Sequence, residues 1–259
     1  MQIKLTKNID LENFTFLEGF PGIGLVGAMS ISYIIEKLEF ESIGYVESDK
    51  FPPLMSIHEG NPMPSIRVYA TSKYKLATIF SEFSIPIEVT YELADALIEF
   101  IKNQKISKII SIAGIPTLKH GQNEDDDNDK NKKDNAEIYL VSSKKELKEN
   151  IENKEIKPVE EGISSGINAL LMLKAMENKI DDINILIPIN PTIIDPKYAE
   201  NAIHGINKLL NLNINTDELD KEAKEVESRI KTLIKKSRES HNQYKESDQL
   251  DDMGNPMYV

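Results

Sequence analysis

Apolar and polar residues along positions 1–215 recur with two different periods, and the switches between them mark strands and helices in turn. Asn13-Phe14-Thr15-Phe16-Leu17-Glu18 alternates as a strand does and runs into a glycine-rich turn. Over residues 23–38 the apolar positions Ile23, Val26, Ile31, Ile34, Ile35 and Leu38 take helical spacing. Residues 42–46 read as a second short strand. Residues 65–70 and 75–80, joined by a polar link, predict a hairpin. Pro86 opens a helix whose apolar face is Val89, Leu93, Leu97, Ile98 and Ile101. Residues 108–113 and 184–188 are nearly unbroken apolar runs, as central strands covered on both faces require. Helices over 163–176 and 198–210 complete the series. The alternation predicts an α/β fold with a largely parallel sheet and one antiparallel hairpin.

Two segments break this pattern. Residues 122–135 carry no apolar side chain, so burial cannot offset their ordering entropy, and they read as a disordered acidic surface loop. Asp125, Asp127 and Asp129 alternate as calcium ligands do. Lys130 stands where the required glycine should be and Ala136 where a bidentate Glu should be, which excludes a calcium loop. Residues 216–259 read as a second unit, a helical arm with a flexible tail. Asn215 or Thr216 can cap it, acids crowd its first turns and Lys231, Lys235, Lys236 and Arg238 follow, in accord with the helix dipole. Leu219, Ala223, Val226, Ile230 and Leu233 form a narrow seam, and a helix over 217–245 would reach about 40 Å. Beyond the breaker Gly254-Asn255-Pro256 comes Met257-Tyr258-Val259. This hydrophobic–Tyr–any tripeptide can offer a ring, a phenol and a free carboxylate to a partner's pocket.

Composition narrows the function classes. The 259 residues contain no Cys, which removes disulfides, thiolate metal sites and thiol catalysis. A net charge of −12 offers no basic stripe for phosphates and argues against nucleic acid. The N-terminus lacks the apolar core of a signal peptide, and no apolar run approaches the ~18 residues of a membrane span. A cytoplasmic protein that touches no membrane is the expectation.

The main enzymatic clue is Gly22-Ile23-Gly24-Leu25-Val26-Gly27, a G-x-G-x-x-G run between a strand and a helix, with Glu47 placed twenty residues on as a ribose-binding acid would be. Two readings compete: a nucleotide-binding loop through Gly22, Gly24 and Gly27, or a structural turn in which the glycines let helix and sheet pack closely. His58, His120, His204 and His241 share no metal-binding spacing, and neither a nucleophile elbow nor a phosphate loop is present. Asp195, Asn190 and Pro191 follow the last strand, where α/β proteins bind ligands; Asp195 next to Pro196 also suits a helix cap.

The segment Gly19-Phe20-Pro21-Gly22-Ile23-Gly24-Leu25-Val26-Gly27 resembles the signature of the proteasome assembly chaperone 2 family. The resemblance continues through Phe51-Pro52-Pro53, Ile112-Ala113-Gly114-Ile115-Pro116-Thr117, residues 162–171 and Asn190-Pro191, covering about residues 10–210. It implies a three-layer α/β/α sandwich similar to purine nucleoside phosphorylases, acting as a binding protein without catalysis or cofactor. The C-terminal tripeptide resembles the hydrophobic-tyrosine-X signature with which regulatory particles and assembly factors dock between α subunits of the proteasome ring. Together they imply a homo-oligomeric assembly chaperone or activator that delivers Met257, Tyr258 and Val259 to the proteasome α-subunit ring. The alternatives are a nucleotide- or nucleoside-binding enzyme using the glycine loop, and a structural oligomer with no proteasome role.

Overall fold

The computed structural model of the chain describes residues 1–58, 60–116, 137–144, 156–219 and 228. Its centre is a nine-stranded mixed sheet in the order β1-β3-β6-β7-β2-β8-β11-β9-β10. The strands, in chain order, are β1 (Gln2–Leu5), β2 (Thr15–Glu18), β3 (Glu41–Glu47), β4 (Met55–His58), β5 (Asn61–Pro64), β6 (Ile66–Thr71), β7 (Leu76–Ser81), β8 (Lys108–Pro116), β9 (Ile138–Ser142), β10 (Ile156–Pro158) and β11 (Asp181–Ile189). β4 and β5 form a separate antiparallel ribbon. The four middle strands, β7, β2, β8 and β11, are parallel; antiparallel pairs flank them at β6–β7 and β9–β11.

Among the described residues four α-helices cover the sheet: α1 (Val26–Lys37), α2 (Thr90–Asn103), α3 (Ile167–Glu177) and α4 (Pro196–Leu210). α1 packs beside α4 on one face and α2 beside α3 on the other, which gives the expected three layers. Alternation in the central strands divides the core. Leu17, Ile110, Ile112, Ile183, Ile185 and Ile187 meet α1 and α4, while Phe16, Ile109 and Ile79 meet Leu93, Leu97 and Ile101 of α2 and Leu171 of α3. A strand that feeds both layers is apolar at most positions, which is why β8 and β11 read as nearly unbroken runs.

The elements expected within residues 1–215 all form, with shifted ends. The helix placed at 163–176 begins only at Ile167, because Gly166 precedes it at φ +81°, a conformation outside the helix. The helix placed at 23–38 starts as a 3-10 turn (Ile23–Leu25), and α1 follows only from Val26. Strands β1, β4, β5, β9 and β10 were not foreseen; each is three to five residues long. The acidic segment 122–135 lies outside the described residues, and so does the arm beyond its base. That base is anchored: Leu219 is buried in the α1/α4 core and the Tyr33 hydroxyl donates to the Asn215 carbonyl at 2.8 Å. Asn215 Oδ1 accepts from the Asp217 amide at 2.7 Å in a local side-chain turn. Among the described residues no helix is long and apolar enough to cross a membrane.

Candidate functional site

β2 ends at Glu18, whose carboxylate oxygen Oε1 accepts the Phe20 amide at 2.8 Å and bends the chain into the glycine turn. The turn closes with the Leu25 amide on the Gly22 carbonyl at 3.1 Å, and Gly24 and Leu25 are both left-handed at φ +68° and +55°. Two left-handed residues in succession turn the chain sharply back over the strand ends. A Cβ on Gly24 would lie 2.7 Å from Ile189 Cδ1, and one on Gly27 would lie 2.6 Å from the Ile112 carbonyl oxygen. Gly114 is the counterpart in β8, where a Cβ would meet the Ile23 carbonyl oxygen at 2.7 Å. These glycines bring α1 and its turn onto β8 and β11 at backbone distance, as the structural reading requires. Gly22 differs: its nearest neighbour is the Phe20 carbonyl at 3.8 Å, and it faces an open groove.

Glu47 does not stand where the dinucleotide reading needs it. β6 and β7 intervene between β3 and β2, so the strand after α1 is three places away from the turn. Glu47 ends that strand opposite Gln2, exposed and ion-paired with Lys4. Sequence spacing matched the motif, but strand order removed the acid from the glycine loop.

The groove beside Gly22 has a volume of about 380 Å³ and opens at the C-terminal ends of β2 and β8. The chain leaving β2 continues to β3 on one side and the chain leaving β8 to β9 on the other, so the groove lies at a switch point of the sheet. Phe20, Ala113 and Leu186 line it together with Ile85 and Ile87, and Asn168 of α3 supplies its amide. Asn168 Nδ2 is buried with no hydrogen-bond partner among the described residues. Such a lining suits an apolar body with one acceptor. Among the described residues its lining contains no His, Asp, Glu or Lys, and so no acid–base pair.

The other candidates separate. Asp195 Oδ1 accepts the Lys197 amide at 2.9 Å and caps α4, and Asn190 Oδ1 accepts the Thr192 amide at 3.0 Å in a tight turn. His204 is exposed on α4. His58 Nε2 lies 2.5 Å from Glu82 Oε1, which also accepts from the buried Arg67 guanidinium. Burial disfavours the charged form of Glu82, but Arg67, with hydrogen bonds from Ser56 and His58, holds its carboxyl below the ordinary range. This cluster fastens the β4–β5 ribbon to β6 and β7. Met257, Tyr258, Val259, His120 and His241 lie outside the described residues.

Sequence reasoning passed over two carboxyls. Glu18 and Asp182 are fully buried within the sheet. Burial raises Glu18 to about 7, against the hydrogen bond from the Phe20 amide; burial and the neighbouring Glu18 raise Asp182 to about 8. The overlooked signal was an acid at each of two strand positions that the fold covers on both faces.

Comparison with known proteins places this fold. The model of the PAC2 family matches residues 16–234. An uncharacterised protein of Methanocaldococcus jannaschii is 29% identical over 243 residues, covering 91% of this chain and 94% of its own. Among solved structures, PbaA of Pyrococcus furiosus, an archaeal homologue of proteasome-assembly chaperone, superposes with a TM-score of 0.77 at 26% identity, over 92% of this chain and 99% of its own. PbaB of the same organism, an archaeal proteasome activator, shares the fold with a TM-score of 0.69 at 21% identity, over 90% and 98%.

Proposed function

The chain belongs to the PAC2 family, and on that premise we propose that it is a homo-oligomeric, proteasome-binding assembly chaperone or activator that docks its C-terminal tripeptide into pockets of the proteasome α ring. The observation that carries the reading is the likeness, over 92% of this chain, to PbaA, an archaeal homologue of proteasome-assembly chaperone. Two features of the chain support the finer statement. The arm starts from an anchored base at Asn215 and Leu219, and the sequence ends in Met257-Tyr258-Val259. In a ring pocket Tyr258 would bury its ring and hydrogen-bond its hydroxyl, and the Val259 carboxylate would meet a basic side chain. Several arms on one oligomer would make later contacts intramolecular, raising avidity by about 10²–10⁴. An oligomer also accounts for Tyr91 on α2 and for Leu173 and Met176 on α3, which are 65%, 58% and 55% exposed on the outer side of the α2/α3 layer.

A non-catalytic role agrees with glycines committed to packing and with the distance of Glu47 from the turn. The rival reading, a nucleotide-binding enzyme, draws on the groove at the switch point and predicts that a nucleotide raises the melting temperature. The deciding measurement is surface plasmon resonance on immobilised proteasome with the full chain, Tyr258→Ala, and a chain lacking the last three residues. Binding should fall at least tenfold in both variants with oligomeric state unchanged. Equal binding by all three would overturn the docking mechanism.

A further inference from the structure

The registers of β2, β8 and β11 set three rows of side chains on the sheet face beneath α2 and α3. Phe16, Ile109 and Asp182 form the first row, and Glu18, Ser111 and Asn184 the second. Ala113 and Leu186, with Phe20 beyond the end of β2, form the third, the groove lining already described. The second row and Asp182 are polar within an otherwise apolar layer, and none of these four residues is more than 2% exposed. Glu18 Oε1 is used by the Phe20 amide. Glu18 Oε2, Ser111 Oγ, Asn184 Oδ1 and both carboxylate oxygens of Asp182 are buried with no hydrogen-bond partner among the described residues. The Asn184 amide nitrogen faces the Met172 sulfur at 4.0 Å. Five oxygens on three adjacent strands therefore share one buried sheet face without hydrogen-bond partners among the described residues.

We propose that Glu18, Ser111, Asp182 and Asn184 form a buried binding site for one hard cation of the calcium, magnesium or sodium class. Every unpartnered atom is an oxygen, with no sulfur or imidazole, which selects hard ions over zinc or copper. Two carboxylates match a divalent charge. The ion would tie β2, β8 and β11 together one row beneath the groove, and it would compete with protons for the same oxygens. The site is independent of the docking tail, so a chain that fails to bind the proteasome can still bind the ion.

The test is thermal unfolding of the full-length chain, first freed of metal and held in tetramethylammonium buffer, then titrated with calcium, magnesium or sodium chloride at pH 5 and pH 9. The expected result is a rise of about 5 °C at a hundredfold excess over Kd for at least one ion at pH 9, absent at pH 5 and absent in Asp182→Asn. Glu18→Gln, which preserves the acceptor for the Phe20 amide, should lose the effect in the same way. Equilibrium dialysis of the wild type with the same ions, at one equivalent bound, gives a readout that does not require either variant to fold. Identical melting curves in all salts with no bound ion, or a rise undiminished in both variants, would overturn the proposal.

Discussion

The two faces of the central sheet are built from the same strands but obey different packing rules. Toward α1 and α4, β8 and β11 present Ile110, Ile112, Ile183, Ile185 and Ile187, and glycines at 27 and 114 let backbone approach backbone. Toward α2 and α3 the same strands carry Glu18, Ser111, Asp182 and Asn184 in the midst of apolar neighbours. The first face is held by shape and tolerates no added atom. The second is held by burial working against unpaired polar atoms, so its stability depends on protons or an ion. A solvent variable should therefore reach one face and leave the other unmoved.

Breaking the tight face should have the largest effect. In Gly27→Val the new side chain would collide with the Ile112 carbonyl and with Gly19 Cα, 2.6 and 2.8 Å from the Cβ position. Backbone on both sides leaves no rotamer to escape into, and a loss of about 3 kcal/mol or more is expected. Urea unfolding at pH 6 should show it, with no change in the pH dependence, since no titratable group is touched. A stability within about 0.5 kcal/mol of wild type would mean that the turn is not packed as described.

The polar face gives the second, smaller effect, read as a pH profile in metal-free buffer. Glu18 and Asp182 are raised, so the folded chain binds more protons than the unfolded chain at every pH between the ordinary carboxylate range and about 8. Their contribution is thus fully present below about pH 4 and is lost as pH rises through about 7 and about 8. Each pH unit in that window is worth about 1.4 kcal/mol per group, so the descent between pH 5 and 9 is on the order of a few kcal/mol. Denaturant titrations across that range should show stability falling, and Asp182→Asn should flatten the fall. A flat wild-type profile would place both carboxyls at ordinary values and remove the contrast between the faces.

What was legible in the sequence follows the same division. β8 and β11 were visible because strands covered on both faces are largely apolar, and α2 because its stripe keeps helical spacing. The short strands β1, β9 and β10 were not, since three to five residues carry too little periodicity and are fixed by pairing with distant partners. The glycine motif revealed a tight strand-to-helix turn, but its pattern is the same whether glycines admit a phosphate or a neighbouring strand. Strand order, with β6 and β7 between β3 and β2, shows what the pattern could not: Glu47 stands away from the glycine turn. Glu18 and Asp182 are 164 positions apart in the chain and come onto one sheet face through the register of three strands, which no local pattern encodes.

The smallest effect concerns how each layer starts its second helix. α4, on the tight face, begins at Asp195, whose carboxylate accepts the Lys197 amide at 2.9 Å with Pro196 in the first turn. α3, on the polar face, begins at Gly166 with no side-chain cap and φ +81°, a conformation that costs other residues dearly. Asp195→Ala should therefore lose a cap and about 1 kcal/mol. Asp195→Asn should retain most of it, because an amide oxygen caps nearly as well as a carboxylate. The same comparison at Gly166 should run the other way: Gly166→Asp introduces a capping side chain but should destabilise, since the strain of the left-handed backbone exceeds what the cap returns. Thermal melts of the three variants in one buffer check both halves. If Gly166→Asp were more stable than wild type, the start of α3 would be limited by its missing cap and not by its backbone, and the two layers would begin their helices by one rule.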